Sequence, residues 1–149
     1  MFITKKNRDM LNNFIFHDLF ISNVSYNAKT MIYHISFVYD GSYSKPMGDI
    51  SLYNVLCFKH SHLYPWDSES EGPLIVNCCS CFDDVVYSVN QFNLLNRNYL
   101  TIDKKNIYKH IGPPICLDDH FLFCIMLSSG DTIEFLTDKI EIEGIDCIL

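Results

Sequence analysis

Apolar and polar residues alternate with a period of two along much of the chain, which is typical of β-strands. The clearest example is MIYHISFVYD (31–40), where every second residue is apolar or aromatic. The residues of this face are Met31, Tyr33, Ile35, Phe37 and Tyr39. We predict a strand here, with the intervening residues on its other face.

The segment 17–26 changes phase part-way along. Leu19 and Ile21 alternate, but the apolar positions from Val24 onward are shifted by one residue. This shift predicts a strand with a bulge or a turn near Asn23, because one extra residue reverses the faces of all that follow.

The last thirty residues predict three short strands. The first is followed by SSGD (128–131), which has the composition of a hairpin turn. The alternating residues are Phe121, Phe123, Ile125 and Leu127, then Ile133 and Phe135, then Ile140 and Ile142 after a turn near Asp138. We predict that these strands form a β-meander.

Other segments are less regular. Ile50–Phe58 predicts one strand, Leu74–Phe82 a buried segment, and Asp84–Leu95 a buried strand or helix. Residues 5–13 predict a short helix. Loops are predicted where Gly, Pro and acidic residues concentrate, at 40–49, His60–Pro73 and Gly112–Pro114.

The predicted fold is mainly β, with an α+β arrangement as the alternative. We expect a curved antiparallel sheet, a sandwich or a partly open barrel, with one or two short helices. The length of 149 residues suits a single domain spanning 1–149. The predicted core is Leu19, Ile21, Tyr33, Ile35, Phe37, Phe121, Phe123, Ile125, Ile133, Phe135, Ile140 and Ile142.

Composition agrees with a folded, β-rich chain, since 48% of the residues are hydrophobic and 14% are aromatic. The basic N-terminus is not followed by the apolar stretch of a secretory signal peptide. The longest apolar runs, such as Phe121–Leu127, fall far short of the ~20 residues of a membrane-spanning helix. Together with an odd number of cysteines, seven, this predicts a cytoplasmic protein with free thiols and no membrane association.

The net charge of −7 is unevenly distributed. Acidic and basic residues balance over 1–109, whereas residues 110–149 carry eight acidic side chains and a single basic one, Lys139. A nucleic-acid-binding protein needs a basic stripe to neutralise phosphates. The charge pattern therefore excludes nucleic acid as the main partner.

The pattern closest to a metal site is His60-Ser61-His62 followed by Cys78-Cys79-Ser80-Cys81. Imidazole and thiolate groups are ligands of Zn²⁺, and Cys78 and Cys81 have the two-residue spacing of a zinc knuckle. The other pair is a His-x-His rather than a second knuckle, so we favour buried cysteines and surface histidines. No cofactor is therefore predicted. A metal- or thiol-dependent enzyme or sensor using His60, His62, Cys78 and Cys81 is the alternative.

Other catalytic signatures are weak. A cysteine nucleophile with a histidine base would require a pairing of Cys116 or Cys78 with His120 or His17, and no local motif marks one. The chain contains no glycine-rich phosphate loop and no G-x-S-x-G elbow. No catalytic residue is therefore predicted.

A predicted polar loop contains the aromatic sequence LYPW (63–66) beside the acidic run DSESEG (67–72). Tyr64 and Trp66 either fold back over the core or stand exposed as anchors for a partner. We keep both as candidate binding residues. The acidic run lacks the spacing of an EF-hand and is predicted to be a solvated loop.

Residues 16–26, FHDLFISNVSY, resemble the HD-x-x-I-x-x-V opening of small β-rich immunity-like proteins from bacterial polymorphic toxin systems. In that group alternating strands follow the opening strand, and a short strand closes the chain after an acidic or polar turn. Met31–Asp40 and Ile133–Glu143 are similar to these features. The resemblance implies a protein that binds and blocks a cognate toxin rather than an enzyme.

We therefore predict a non-enzymatic protein-binding module, with a basic toxin domain as the expected partner and the oligomeric state left open. Strand alternation places Glu134, Glu141 and Glu143 on the face opposite the core, with Asp131 and Asp138 at the turns. Five carboxylates with a single lysine among them would attract a basic partner. The alternative is that these positions are charged for solubility.

Overall fold

The computed structural model describes residues 1–39, 46–61, 75–82, 93–94, 99–103, 106–109 and 115–148, and within them the chain is mainly β. The strands are β1 (Phe2–Thr4), β2 (Leu19–Asn27), β3 (Ile32–Tyr39), β4 (Pro46–Tyr53), β5 (Cys57–Ser61), β6 (Val76–Phe82), β7 (Asn93–Leu94), β8 (Tyr99–Asp103), β9 (Asn106–Lys109), β10 (Ile115–Cys116), β11 (Phe121–Leu127), β12 (Thr132–Thr137) and β13 (Lys139–Glu143). The described residues also include 3₁₀-helical segments at Lys5–Asn13, which is kinked at Asn7, and at Leu117–Asp119. The predicted helix at 5–13 is confirmed, in the tighter 3₁₀ form.

Sheet 1 contains five antiparallel strands in the order β1-β13-β4-β3-β2. Its strand β2 contains a register shift between Ile21 and Asn23. The predicted bulge near Asn23 is therefore confirmed. Strand β4 begins at Pro46, so the predicted loop at 40–49 is wrong for its second half. Residues 40–45 lie outside the described residues.

Sheet 2 contains five antiparallel strands in the order β6-β11-β12-β5-β7. The predicted hairpin at SSGD joins β11 to β12, and Phe123 lies directly opposite Phe135. A further three-stranded sheet has the order β10-β9-β8. Of the predicted segment Asp84–Leu95, only the short strand β7 is described.

Two neighbouring strands cross together from sheet 1 to sheet 2. Strand β4 continues into β5, and its partner β13 is the continuation of β12, so the pairs β4–β13 and β5–β12 form one bent ribbon. At the bend the backbone N–H of Leu56 donates a 3.0 Å hydrogen bond to the carbonyl oxygen of Leu136. Asn54 adopts the left-handed conformation, with φ of 49°, and its side-chain amide donates a 2.7 Å bond to Asp138.

This crossing corrects two predictions. Ile50–Phe58 is not one strand but two, because the chain turns at Asn54 and enters the other sheet. The three C-terminal strands do not form a meander, because β13 leaves its neighbour β12 and pairs with β4 and β1. Alternation identifies the two faces of a strand but not the sheet to which the strand belongs.

The core lies between the facing sides of sheets 1 and 2, which gives a sandwich-like fold. Eleven of the twelve predicted core residues are buried, and the twelfth, Tyr33, is partly buried and packs against them. The sheets also approach at one margin, where Phe20 of β2 forms an isolated bridge with Ile75. The mainly β fold predicted from alternation is confirmed.

Candidate functional site

Three carboxylates lie on the outer face of sheet 1, and we call them the acidic strip: Asp49, Glu141 and Glu143. Asp49 and Glu143 are directly opposite each other on β4 and β13. The neighbouring residues Ile50 and Ile142 point into the core, so strand alternation fixes the acidic side chains on the outside. Two of the predicted binding residues, Glu141 and Glu143, are thus brought together on one surface.

Two members of the acidic strip, Glu141 and Asp49, each have a polar side chain close to the carboxylate. The Tyr53 hydroxyl donates a 2.5 Å hydrogen bond to Glu141, and this bond is the main reason why the pKa of Tyr53 is raised. The His34 Nε2 atom lies 3.5 Å from the Asp49 carboxylate. The Glu143 side chain forms no hydrogen bond and no ion pair within the described part of the chain.

The pairing of Asp49 with Glu143 is energetically unfavourable. Directly opposite residues of antiparallel strands have Cβ atoms about 5 Å apart, and like charges at such positions destabilise a sheet. The His34 imidazole lies beside Asp49, whereas the Glu143 side chain has no ion-pair partner in the described part of the chain. The acidic strip therefore offers a position where an external cationic group would be favourable.

An apolar cleft lies beside the acidic strip, and we call it the terminal cleft. Its volume is about 50 Å³, and its walls are Ile15, His17, Leu19, Tyr39, Met47, Ile145 and Asp146. Ile15 and Tyr39 are large apolar or aromatic residues with 44% and 52% of their surface exposed. The cleft adjoins the strip along the chain, because Gly48 separates Met47 from Asp49 and Gly144 separates Ile145 from Glu143. Met47 and Ile145 themselves pack against the core.

Two close backbone approaches build the terminal cleft. Ile15 donates a 2.9 Å backbone hydrogen bond to Asp146, which joins segment 14–17 to the segment that follows β13. Gly48 and Gly144 pack against each other so tightly that a Cβ atom on Gly48 would lie 2.8 Å from the carbonyl carbon of Gly144. Only glycine allows this approach, and it draws the two sides of the cleft together.

A second cleft, of about 340 Å³, lies on the other side of Ile15 and His17. Its walls are Leu11, Asn12, Phe14, Ile15, Phe16, His17, Asn77, Cys78 and Cys79. The His17 Nδ1 atom lies 2.8 Å from the Asp18 carboxylate, and both side chains are about two-thirds exposed. Of the nucleophile–base pairings considered from sequence, Cys78 and His17 are the pair that lines a common cleft.

The other nucleophile–base pairings are not formed by the described side chains. His120 is buried at the bend of the ribbon, where its Nε2 atom lies 3.3 Å from the carbonyl oxygen of Asn54. It precedes β11, whereas Cys78 pairs with Met126 at the far end of that strand, about 20 Å away. The side chain of Cys116 lies outside the described ones.

The alternative metal site does not form from the described residues. His60 occupies the same cross-strand row as Cys79, but β11 and β12 lie between them, so the separation is roughly 14 Å. Cys78 is exposed, whereas Cys81 packs against the core, because residues three apart on a strand point to opposite faces. Among the described residues, no three His, Cys, Asp or Glu side chains could hold a metal ion. His62 lies outside these residues.

No disulfide joins the described cysteines Cys78, Cys79, Cys81, Cys124 and Cys147. Burial raises the pKa of the Cys124 thiol to about 11 and raises that of Cys79 well above its usual value. Both thiols are therefore protonated and unreactive at neutral pH. Cys78 is exposed and lines the same cleft as His17.

The predicted surface of five carboxylates is wrong in its geometry. Glu134 lies on β12 in sheet 2, opposite Lys59 of β5, whereas Glu141 and Glu143 lie in sheet 1. Asp131 is fully buried, and Asp138 accepts the hydrogen bond from Asn54. The prediction failed because β12 and β13 separate into different sheets. Tyr64, Trp66 and the acidic run DSESEG lie outside the described residues.

Sequence reasoning missed Asp49, Ile15 and Tyr39. Gly48 and the preceding Pro46 are typical of a turn, so the sequence predicts a loop at Asp49. The alternation of Asp49, Ile50, Ser51 and Leu52 was a usable signal, but the exposure of Ile15 and Tyr39 depends on tertiary contacts. No local pattern carries that information.

The chain matches no protein-family model, and no curated protein or solved structure shows significant similarity to it. In the described part of the chain, no helix has the length and apolar character needed to cross a membrane.

Proposed function

We propose that this chain is a non-enzymatic protein-binding module that uses the acidic strip and the terminal cleft as one docking surface. The partner is a protein with a basic surface and an apolar side chain beside it. The cross-strand pair of Asp49 and Glu143 carries the proposal. A like-charge pair weakens the free protein but becomes favourable when a lysine or arginine from a partner lies between the two carboxylates.

The charge distribution supports this choice of partner. The whole net charge of −7 arises from residues 110–149, which include β13. An acidic surface accelerates the association of a basic partner and discriminates against acidic ones. The terminal cleft adds the apolar component that a stable interface requires, since exposed aromatic residues such as Tyr39 are frequent binding hot spots.

The more specific form of the proposal is an immunity protein that neutralises a cognate toxin. The resemblance of segment 16–26 to immunity-like proteins suggests this role, and His17 of that segment lines the terminal cleft. A toxic nuclease is basic because it binds phosphates, so an acidic inhibitor surface is complementary to it. Blocking the toxin by binding would need no catalytic residue in this chain.

Charge reversal tests the proposal. The probe is the protein encoded by the neighbouring reading frame, and association is followed by stopped-flow fluorescence at low and moderate salt. We expect the double variant Glu141→Lys/Glu143→Lys to slow association at least tenfold at low salt and to remove most of the salt dependence. The control is Glu134→Lys, which makes a single charge reversal on the other sheet and is compared with the single variant Glu143→Lys; the control is expected to leave the rate within about twofold.

Two outcomes overturn the proposal. Equal rates for the double variant and the unmodified protein exclude the acidic strip as the docking surface. No binding between the chain and the neighbouring gene product, together with no protection of cells that express that product, excludes the immunity role. Tyr39→Ala tests the terminal cleft separately, and we expect faster dissociation with little change in the association rate.

A further inference from the structure

A cavity of about 150 Å³ lies between the two sheets, away from the acidic strip. Its walls come from four strands: Ile21 and Val24 of β2, Tyr33 of β3, Phe58 and His60 of β5, and Ile133 and Phe135 of β12. All of these are apolar or aromatic except the imidazole of His60. Neither the proposed docking surface nor the thiol residues contribute to the lining.

The bulge in β2 creates this cavity. The register shift between Ile21 and Asn23 places Ile21 and Val24 on the same face, although three positions separate them. Beyond the bulge Val24 lines the cavity while 45% of its surface is exposed, so the cavity reaches the protein surface beside Val24. A small molecule can therefore enter without unfolding of the core.

Three aromatic side chains, Tyr33, Phe58 and Phe135, form much of the cavity wall and would contact an aromatic ligand. Tyr33 lies 4.9 Å from Phe135 at an interplanar angle of 62°, and 5.9 Å from Phe58 at 48°. Aromatic rings prefer such tilted and edge-to-face contacts at centroid distances of 4.5–7 Å. A further planar ring in this space would contact ring faces and edges on several sides, and apolar cavities of about 150 Å³ bind benzene-sized molecules.

Tyr26 is not among the residues that line the cavity, but its ring contacts the ring of Tyr33, which is. Tyr26 lies directly opposite Tyr33 on the inner side of sheet 1, with ring centroids 4.8 Å apart. Its hydroxyl oxygen is buried and has no hydrogen-bond partner among the described residues. A buried hydroxyl without a partner is unfavourable, and a ligand carrying an oxygen atom would satisfy it.

We propose that this cavity is a binding site for a small molecule with a single aromatic ring and one hydrogen-bonding oxygen, as in a phenol. The ring occupies the space bounded by Tyr33, Phe58 and Phe135, and the oxygen accepts a hydrogen bond from the Tyr26 hydroxyl. The site is independent of the proposed docking surface, because the two share no residue.

A titration of 4-fluorophenol, followed by ¹⁹F NMR, tests the site. We expect a saturable change in chemical shift with the unmodified protein. The variant Val24→Trp fills the mouth and is expected to weaken binding at least tenfold. The matched control is Ser25→Trp, which places the same bulk on the opposite face of the strand and is expected to bind as the unmodified protein does.

A second variant separates the ring site from the hydroxyl. Tyr26→Phe is expected to weaken binding of 4-fluorophenol several-fold and to leave binding of fluorobenzene unchanged. If Val24→Trp does not fold, as judged by circular dichroism, Ile133→Phe serves as the filling variant. The proposal is overturned if neither probe binds saturably, or if a folded filling variant binds as tightly as the unmodified protein. If Tyr26→Phe weakens the binding of 4-fluorophenol and of fluorobenzene equally, the proposed hydrogen bond from Tyr26 to the ligand is wrong.

Discussion

The hydroxyl of Thr137 donates a 2.6 Å hydrogen bond to the backbone carbonyl oxygen of Tyr53, at the point where both strands leave one sheet for the other. Thr137 is fully buried. Thr137→Val keeps the shape of the side chain but removes the donor, so we expect a loss of about 1–2 kcal/mol in the free energy of unfolding. Urea denaturation measures it. Thr132→Val, at a half-exposed position of the same strand, should change stability by less than about 0.5 kcal/mol.

Gly48→Ala should be severely destabilising. The new methyl group would meet the carbonyl oxygen of Glu143, and the backbone φ of 144° is one that side chains rarely allow. Because backbone atoms cannot yield as a flexible side chain does, we expect a loss of about 3 kcal/mol or more. Gly130→Ala, in the hairpin turn with φ of 91°, should cost only about 1 kcal/mol. Similar losses for the two variants in thermal unfolding would argue against the close approach.

The sequence predicts local features of this fold well and its sheet assignment poorly. The hairpin of β11 and β12 follows from alternation and SSGD, and the bulge in β2 follows from the phase shift at Asn23. The crossing at Asn54 leaves only a weak local trace, a residue tolerant of the left-handed conformation inside an otherwise continuous strand pattern. Which sheet receives β13 is decided by long-range pairing.

In the candidate site, too, the sequence predicts what depends on a single strand but not what depends on the sheet to which the strand belongs. Alternation correctly placed Glu141 and Glu143 outside, because that depends only on the strand itself. It grouped Glu134 with them wrongly, because the chain changes sheet between β12 and β13. The opposite faces of Cys78 and Cys81 were available from the strand pattern, since three residues reverse the face of a strand.

Stability should fall at high pH through the Cys124 thiol. Burial is the largest cause that raises its pKa from 9.0 to about 11, and the Glu134 carboxylate adds to it. Between these values the unfolded chain loses the proton while the folded chain keeps it, so rising pH favours unfolding. We expect the free energy of unfolding to fall by roughly 2 kcal/mol from pH 9 to pH 11 on account of this group.

The contribution of Cys124 is isolated by comparison with a variant. Cys124→Ala should lose less stability over this pH range than the unmodified protein, although it is less stable at neutral pH. Cys147→Ala, at a partly exposed position that does not contribute to the raised pKa of Cys124, should keep the full pH dependence. Parallel pH profiles for Cys124→Ala and the unmodified protein would show that another group causes the decline.

Glu143→Thr should make the free protein more stable. The substitution removes one charge from the pair with Asp49 and introduces a residue that favours strands. We expect a gain of about 0.2–1 kcal/mol in urea denaturation, decreasing as salt is added. Glu134→Thr is the comparison, because Glu134 lies opposite Lys59 and its loss should give no gain. A decrease in stability for Glu143→Thr would mean that the pair is not repulsive.

The position of β13 in sheet 1 governs the order in which the protein can be assembled during synthesis. This strand lies between β1 and β4, yet the ribosome produces it after both of them. Until residues 139–143 emerge, β1 has no strand to pair with and β4 presents an unpaired edge, although β2, β3 and β4 can already join as neighbours. Sheet 1 is therefore completed by insertion into its interior, and pairs as distant as Phe2 and Glu141 make that step slow. A nascent chain halted before this point exposes the edges that favour aggregation.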